Sequence, residues 1–350
     1  MTNRVTVTQL ASFDEIIDAR SPAEFAIDHI PGAINLPVLD NDQRALVGTL
    51  HNQPSSFAAR RIGAALIARN IADHLLERLS DRPTGWRPLI YCWRGGKRSG
   101  AMNLILRQIG WKSEQLEGGY KRWRKSVVSD LETLPEQFRF RVICGLTGSG
   151  KSRLLTALHQ QGEQVLDLET LAAHRGSLLG NLPDQRQPSQ KMFEGRVWWH
   201  LQHLDPDRPV YIEAESKRIG HLRVPESLMR AMWQPGRAIR LETADPIRIE
   251  WLKQDYRHFL ADPTTLLERL AQLTELHGRQ QIDAWRTLVE QNNWDELVSQ
   301  LLHLHYDRSY EKSMLQHYPD YADSPRISLD GVSVDNLKAA AQAAVLARQN

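Results

Sequence analysis

Between residues 138 and 160 the chain reads FRFRVICGLTGSGKSRLLTALHQ: a β-rich run ending in Cys144, a glycine loop, and a helix that opens at Lys151. Gly145, Gly150, Lys151 and Ser152 fit the spacing G-x-x-x-x-G-K-[ST], with the strand before and the helix after that a phosphate-binding loop requires. An ordinary glycine turn would need none of this context. The glycines let successive backbone N–H groups converge on a phosphate, and the helix start adds positive potential. Lys151 supplies a point charge, and Ser152 a hydroxyl for phosphate or for a Mg2+ ion. Gly145, Thr147, Gly148, Ser149, Gly150, Lys151 and Ser152 are therefore the expected diphosphate-binding residues, with Arg175 from the following LAAHRGSLLG stretch as a further donor. Such a loop reads a diphosphate and is silent on what the diphosphate carries.

At 350 residues the chain is long enough for two domains of ordinary size, each burying its own core. No apolar run approaches the roughly 18 residues that a membrane helix needs, so no membrane association is expected. The opening MTNRVTVTQLASFDEIIDAR lacks an apolar core and carries acids from Asp14, which argues against a secretory signal. Two cysteines, Cys92 and Cys144, cannot form a disulfide framework and suit a reducing cytoplasm; a monomer is the expected state. A formal net charge of +2 is too small to attract a polyanion by its mean field, so any nucleic-acid partner must be held by local patches. Candidates are Arg60, Arg61 and Arg69; Lys121, Arg122, Arg124 and Lys125 around Trp123; and Lys217 with Arg218 and Arg223. Trp123 is either a core residue or a surface on which an unpaired base could stack.

Strand and helix signals alternate along the whole chain. EIIDAR (15–20) reads as a strand, SPAEFAIDHI as a helix capped by its serine, and HIPGAINLP (29–37) as a turn and a second strand. Apolar positions from Phe57 to Leu79 recur at helical spacing, predicting one or two amphipathic helices over 53–79. The strand RPLIYC (87–92) leads into the tight loop WRGGKR, and a helix is expected from Ser99 to about Gly110. SEQLEGGYKRWRKSV then gives a short strand, a glycine pair and a basic helix. This alternation predicts an open parallel α/β sheet. The polar stretch 126–138 marks the domain boundary, dividing the chain into 1–130 and 131–350. Beyond the phosphate loop, EQVLDLE (163–169) and PVYIEAESKRIG (209–220) read as strands, the first ending at Asp167 and Glu169 and the second running through Glu213 and Glu215 into bases. PSQKMFEGRVWWHLQHL between them reads as a helix. RAIRLET (237–243) is a further strand, 245–317 is mostly helical, and RISLD and an alanine-rich helix close the chain.

Cys92 stands at the end of a strand, with loop N–H groups, a helix start and the cations Arg94, Lys97 and Arg98 directly after it. These surroundings favour the thiolate, so Cys92 is the candidate nucleophile, cradled by Trp93, Arg94, Gly95, Gly96, Lys97, Arg98 and Ser99. Cys144 lies in an apolar strand and reads as an inert core thiol. Asp167, Glu213 and Glu215 are candidates for acid–base or metal-adjacent duties, or else are solvated acids at strand ends.

IDARSPAEF, HIPGAINLP, YCWRGGKRSG and LEGGYKRW make residues 10–130 resemble the rhodanese family of sulfurtransferases. Five residues separate Cys92 from Arg98, one more than the usual sulfurtransferase loop; this is similar to the wider loop of rhodanese-like phosphatases and could seat a larger group, such as a phosphate or a selenium donor. Joined to the phosphate loop, and with DLETLAAHRGSLLG, PSQKMFEG and IEAESKRIG, the chain as a whole resembles the bacterial tRNA 2-selenouridine synthase family. The resemblance implies a rhodanese-like parallel-sheet domain followed by a P-loop NTPase-like α/β domain with a helical C-terminal part. It also implies a cytoplasmic transferase that acts on wobble-position 2-thiouridine in the tRNA anticodon loop. Such an enzyme geranylates the sulfur with geranyl diphosphate held at the P-loop, then replaces the geranylthio group with selenium from selenophosphate by way of a perselenide on Cys92. A selenophosphate-producing enzyme would be the source of the donor. Two other classes of function fit the same motifs: an ATP-dependent rhodanese-type sulfurtransferase, and a regulatory module that senses a nucleotide without chemistry.

Overall fold

Strands that are apolar throughout, such as PLIY at Pro88–Tyr91, or apolar up to a closing glutamate, such as VYIE at Val210–Glu213, are buried at every position, as parallel strands covered on both faces must be. The computed structural model describes residues 4–51, 56–235, 237–318, 321–331 and 333–347. It divides into two compact units. One comprises the residues up to Asp130 together with Pro188–Trp199; the other comprises Leu131–Gln187 and the chain from His200 onward.

The first unit is built on five parallel strands: β1 (Arg4–Val5), β2 (Glu15–Asp18), β3 (Ile34–Asn35), β4 (Pro88–Tyr91) and β5 (Glu114–Leu116), in spatial order β1-β5-β4-β2-β3. Its helices are α1 (Pro22–Ile27), α2 (Asn41–His51), α3 (Ser56–Glu77), α4 (Lys97–Ile109) and α5 (Gly119–Asp130). Ser21 and Glu24 close a capping box at the start of α1, so the expected serine cap is present. Residues 53–55 of the helical stretch expected at 53–79 lie outside the described residues. Helix α4 opens at Lys97, two residues before the expected Ser99, because Gly96 serves as its cap and the loop from Cys92 is correspondingly tight. Ile17, Leu36, Ile71, Ile90, Met102 and Leu106 form the core, and the buried Cys92 packs against it.

In the second unit the strands are β6 (Phe140–Cys144), β7 (Gln164–Leu166), β8 (Val210–Glu213), β9 (Arg218–Ile219), β10 (Leu222–Arg223), β11 (Ala238–Thr243) and β12 (Arg326–Leu329). Five are parallel in the order β12-β11-β6-β8-β7, which puts the strand leading into the phosphate loop at the centre. The strand expected over 209–220 stops at Glu213. Lys217 and Arg218 instead belong to the β9–β10 hairpin, where Arg218 N–H bonds to Ser216 Oγ and Gly220 makes the turn at a φ of 59°. Around the sheet lie α6 (Lys151–Gln160), α7 (Leu168–Ala172), the end of α8 (Gln190–Gln202), α9 (Glu226–Met232) and α10 (Asp245–Asp255). The expected helical region follows as α11 (Arg257–Ala261), α12 (Thr264–Ala271), α13 (Thr274–His277), α14 (Arg279–Glu290), α15 (Trp294–Gln300), a π-helix at Leu301–Tyr306, and α16 (Asp307–His317). The alanine-rich α17 (Val334–Leu346) lays Ala340, Ala341 and Ala344 against Leu154 and Leu158 of α6.

The division at 130/131 is not the whole boundary, since residues 188–199 pack with the first unit. Trp198 donates its indole N–H to Asp130 at 2.8 Å and meets Trp123 edge-on at 6.3 Å, while Ser189 Oγ bonds the Ile27 carbonyl at 2.6 Å. Trp123, fully buried between Tyr120 and Trp198, is thus a core residue and not a stacking surface. Trp123→Ala should destabilise the protein by about 3–5 kcal/mol, the range for deleting a large buried aromatic. Urea unfolding monitored by circular dichroism measures this, and a midpoint within error of the parent would contradict it.

Candidate functional site

The first unit carries a thiol site. β4 ends one residue before Cys92, whose Sγ accepts hydrogen bonds from the Gly96 amide at 3.3 Å and from Ser99 Oγ at 3.1 Å. Gln115 on β5 orients Ser99 through a 2.8 Å bond to its hydroxyl, a role not anticipated from the sequence. The loop folds back under Gly119, which sits at a φ of 57°; a Cβ there would lie 2.1 Å from the Cys92 carbonyl oxygen. Only glycine permits that approach. Arg98 is paired with Glu24 at 2.7 Å, whereas Arg94 and Lys97 are exposed around the loop. Trp93 is 39% exposed and stacks on Tyr120, so the loop presents a flat aromatic face beside the thiol.

The second unit carries the phosphate site. Gly150, at a φ of 87°, touches the ring of the buried Trp251 so closely that a Cβ would lie 2.4 Å from it. Lys151 Nζ donates to the carbonyls of Gly145 and Leu146 at 3.0 and 3.3 Å and lies 5.2 Å over the Tyr310 ring. Thr147 Oγ1, Ser149 Oγ and Arg175 Nη1 are buried polar atoms without a hydrogen-bond partner. Three such groups beside a lysine and a helix start form a cradle suited to an anion rich in acceptor oxygens. They line a pocket of about 80 Å³ together with Arg153, Glu169 and Tyr256.

Carboxylates gather on one side of this loop. Glu213 Oε1 accepts the Glu169 amide at 2.9 Å, and Ser152 Oγ donates to Glu169 Oε2 at 2.7 Å. Burial, with the charges of Asp167, Glu169 and Glu215 added, pushes Glu213 well above the usual carboxyl range. Burial and the neighbouring Glu169 push Glu215 up to about 8, against the opposing pull of Lys151. Asp167 stands apart: it caps α7 through Thr170 N–H at 2.8 Å, a structural task. Glu169, expected only as the end of a strand over 163–169, lies instead in α7 because β7 stops at Leu166, and from there it lines the pocket, a role not anticipated from the sequence. Among the described residues no group of three or more His, Cys, Asp or Glu side chains could hold a metal ion. Mg2+ is ordinarily held by one or two protein oxygens completed by phosphate and water, and Ser152 with Glu169 supplies such a pair.

A second pocket in the same unit was not foreseen. It is a narrow apolar slot of about 60 Å³ that shares Thr147, Ser177, Leu252 and Tyr256 with the phosphate pocket. Phe259, Leu266, Trp294, Val298 and the π-helix residues Leu301 and Leu302 complete its walls. Spacing alone could not reveal it, because these residues read as the ordinary apolar faces of four short helices.

The basic candidates are unequal. Arg124 is tied to Glu194 and to the Lys191 carbonyl, and Arg122 to Glu117 at 2.8 Å. Lys121 and Lys125 are exposed on α5, and Lys217 lies over the Trp233 ring.

Comparison with known proteins agrees with this geometry. Residues 6–126 match the family described as rhodanese-like domain, and residues 138–267 the family described as tRNA 2-selenouridine synthase AAA domain. The tRNA 2-selenouridine synthase of Nitrosomonas europaea is 35% identical over 73% of this chain and 66% of its own length; that of Nitrosomonas eutropha is 36% identical over 62% and 56%. The match thus spans less than two thirds of these relatives' length. The synonymous protein of Shewanella sp. strain MR-7 is 30% identical over 85% of this chain and 86% of its own length.

The raised Glu215 makes stability depend on pH. Between about 4.5 and about 8 the folded chain retains a proton that the unfolded chain has released, so stability falls as pH rises through that window. Glu215→Gln should flatten this fall in the melting temperature. Differential scanning calorimetry at stepped pH checks it, and a melting temperature that falls from pH 5 to 8 as steeply in the variant as in the parent would refute the assignment.

Proposed function

The chain belongs to the tRNA 2-selenouridine synthase family, and from that premise we propose that it converts 2-thiouridine in tRNA to 2-selenouridine in two steps, one in each unit. In the first, geranyl diphosphate binds at the P-loop. The observation that carries this reading is the apolar slot sharing a wall with the phosphate cradle, for a prenyl diphosphate needs those two surfaces side by side. Lys151, Arg175 and the loop amides neutralise charge as the allylic C–O bond breaks and diphosphate leaves. A Mg2+ ion held by Ser152 and Glu169 would add positive charge at the phosphates. The thione sulfur takes the geranyl C1, and the proton on the ring nitrogen beside it is lost to water.

Alkylation turns an unreactive thione into a carbon bearing a displaceable thiol. The selenium of selenophosphate, seated in the Cys92 loop where the Gly96 amide and Ser99 hydroxyl meet the thiol, attacks carbon 2 and the geranylthio group departs as the thiol; water then cleaves the P–Se bond, phosphate leaves and the C=Se group remains. The donor is selenophosphate from a selenophosphate-producing enzyme. Arg94 and Lys97 are the exposed cations that would attract it. Lys121 and Lys125, with Lys217 and Arg218, are the residues proposed to meet tRNA phosphates.

Mass spectrometry of the wobble nucleoside separates the steps. Lys151→Ala should abolish geranylation yet still selenate a supplied S-geranylated tRNA, whereas Cys92→Ser should accumulate geranylated tRNA and form no selenouridine. Failure of Lys151→Ala to selenate the supplied S-geranylated tRNA, or loss of the geranylated product in Cys92→Ser, would overturn the division, and tRNA-stimulated ATP turnover would favour a nucleotide-driven transfer instead. A narrowing substitution tests the slot: Val298→Phe should raise the KM for geranyl diphosphate roughly tenfold, the loss expected from about two unburied methylenes, while inhibition by inorganic diphosphate stays unchanged.

A further inference from the structure

The first unit holds a groove that the two-step reading leaves unused. It has a volume of about 560 Å³ and runs between α2, α3 and the beginning of α4. Its floor is apolar: Leu39, Val47, Ile67, Ile71 and Ile105 line it, and Ala64 and Ala68 on α3 leave it open to solvent. Four cations edge it: Arg44 and Arg98, which share Glu24 at 3.9 and 2.7 Å, and the exposed Arg60 and Lys97. Lys97 and Arg98 open α4 directly after the loop that begins at Cys92, so one end of the groove lies beside the thiol loop.

An apolar floor with an edge of net positive charge, four cations against Glu24, suits a hydrophobic chain borne on a polyanion. The volume lies within the range of about 300–1,000 Å³ typical of small-ligand clefts. A phosphodiester-linked nucleoside carrying a terpenoid thioether combines those two properties, whereas an acidic amphipathic helix would bring carboxylates and no chain of matching width. We infer that this groove binds the geranyl chain of S-geranyl-2-thiouridine while carbon 2 lies at Cys92, so that the thiol unit has a prenyl site of its own. The inference rests on the two-step reading. It assigns the α2–α3 hairpin a specificity role: the intermediate is selected over unmodified 2-thiouridine by its chain, and the departing geranylthiol is already seated in an apolar cleft.

The test compares two anticodon stem-loops, one bearing S-geranyl-2-thiouridine and the other S-methyl-2-thiouridine, on the full chain. Without a selenium donor, fluorescence anisotropy should show the geranylated RNA bound at least roughly tenfold more tightly, the gain from burying a few methylenes. With selenophosphate, kcat/KM should favour it by a similar factor. Ala64→Trp and Ala68→Trp, placed at exposed positions, should bring both ratios close to one. Because each ratio is taken on a single preparation, a change in the folded fraction cannot produce that result. Equal binding of the two RNAs by the parent, or an undiminished preference in both variants, overturns the groove. So does a change of oligomeric state in the variants, since it identifies the face as a protein contact. Failure of the parent to geranylate 2-thiouridine RNA would count against the two-step reading and leave these binding ratios to decide the groove by themselves.

Discussion

A phosphate loop works only if its amides all face inward, and that obliges its carbonyls to find donors elsewhere. In this chain Lys151 meets the requirement at Gly145 and Leu146, and the next carbonyl falls to Arg248. Its fully buried guanidinium donates to the Thr147 carbonyl at 3.0 Å, while Thr243 Oγ1 takes the Ser149 carbonyl at 2.8 Å. A buried cation needs compensation, which Asp307 supplies at 2.6 Å and Asp245 at 2.9 Å. Asp307 is the residue immediately after the π-helix that walls the apolar slot. One charge pair therefore couples the shape of the phosphate cradle to the wall of the neighbouring slot, and Trp251, on the same helix as Arg248, closes the cradle against Gly150.

The thiol unit meets an analogous demand by different means. There the loop at the end of β4 is held by its own glycines and by Gln115, and the sheet edge beneath it is braced by Arg20, which binds Asp18 at 2.6 Å and lies 4.0 Å over the Tyr120 ring. Tyr120 in turn donates to Asp28 at 2.7 Å, and burial holds that phenol protonated well above the ordinary range. Both units thus place their chemistry at the carboxyl end of a central parallel strand, where the loop amides converge and helices begin. The sheet is generic and the loop carries the specificity.

Much of this was legible from local patterns. G-L-T-G-S-G-K-S specifies its own geometry because glycine is needed at positions such as Gly150 and because a lysine after the loop must open a helix. Cys92 followed by two glycines and three cations identifies a thiol loop for the same reason, and continuously apolar runs identify buried parallel strands. The assignment of Lys217 and Arg218 to a strand beyond Glu213 failed because a serine side chain and Gly220 turn the backbone there, which period counting does not register.

Sequence alone determined the two anion-binding loops, the parallel sheets that present them and the family to which their combination points, since each depends on residues within a few positions of one another. Tertiary structure decided everything that depends on residues far apart meeting. It brought Arg248 to Thr147, Gln115 to Ser99, and Glu169, Glu213 and Glu215 into one buried group whose mutual repulsion keeps a proton in place. It also drew residues 188–199 into the first unit and left an apolar slot beside one loop and an apolar groove beside the other. A cavity is the space between side chains on different elements, and no single stretch of sequence contains it.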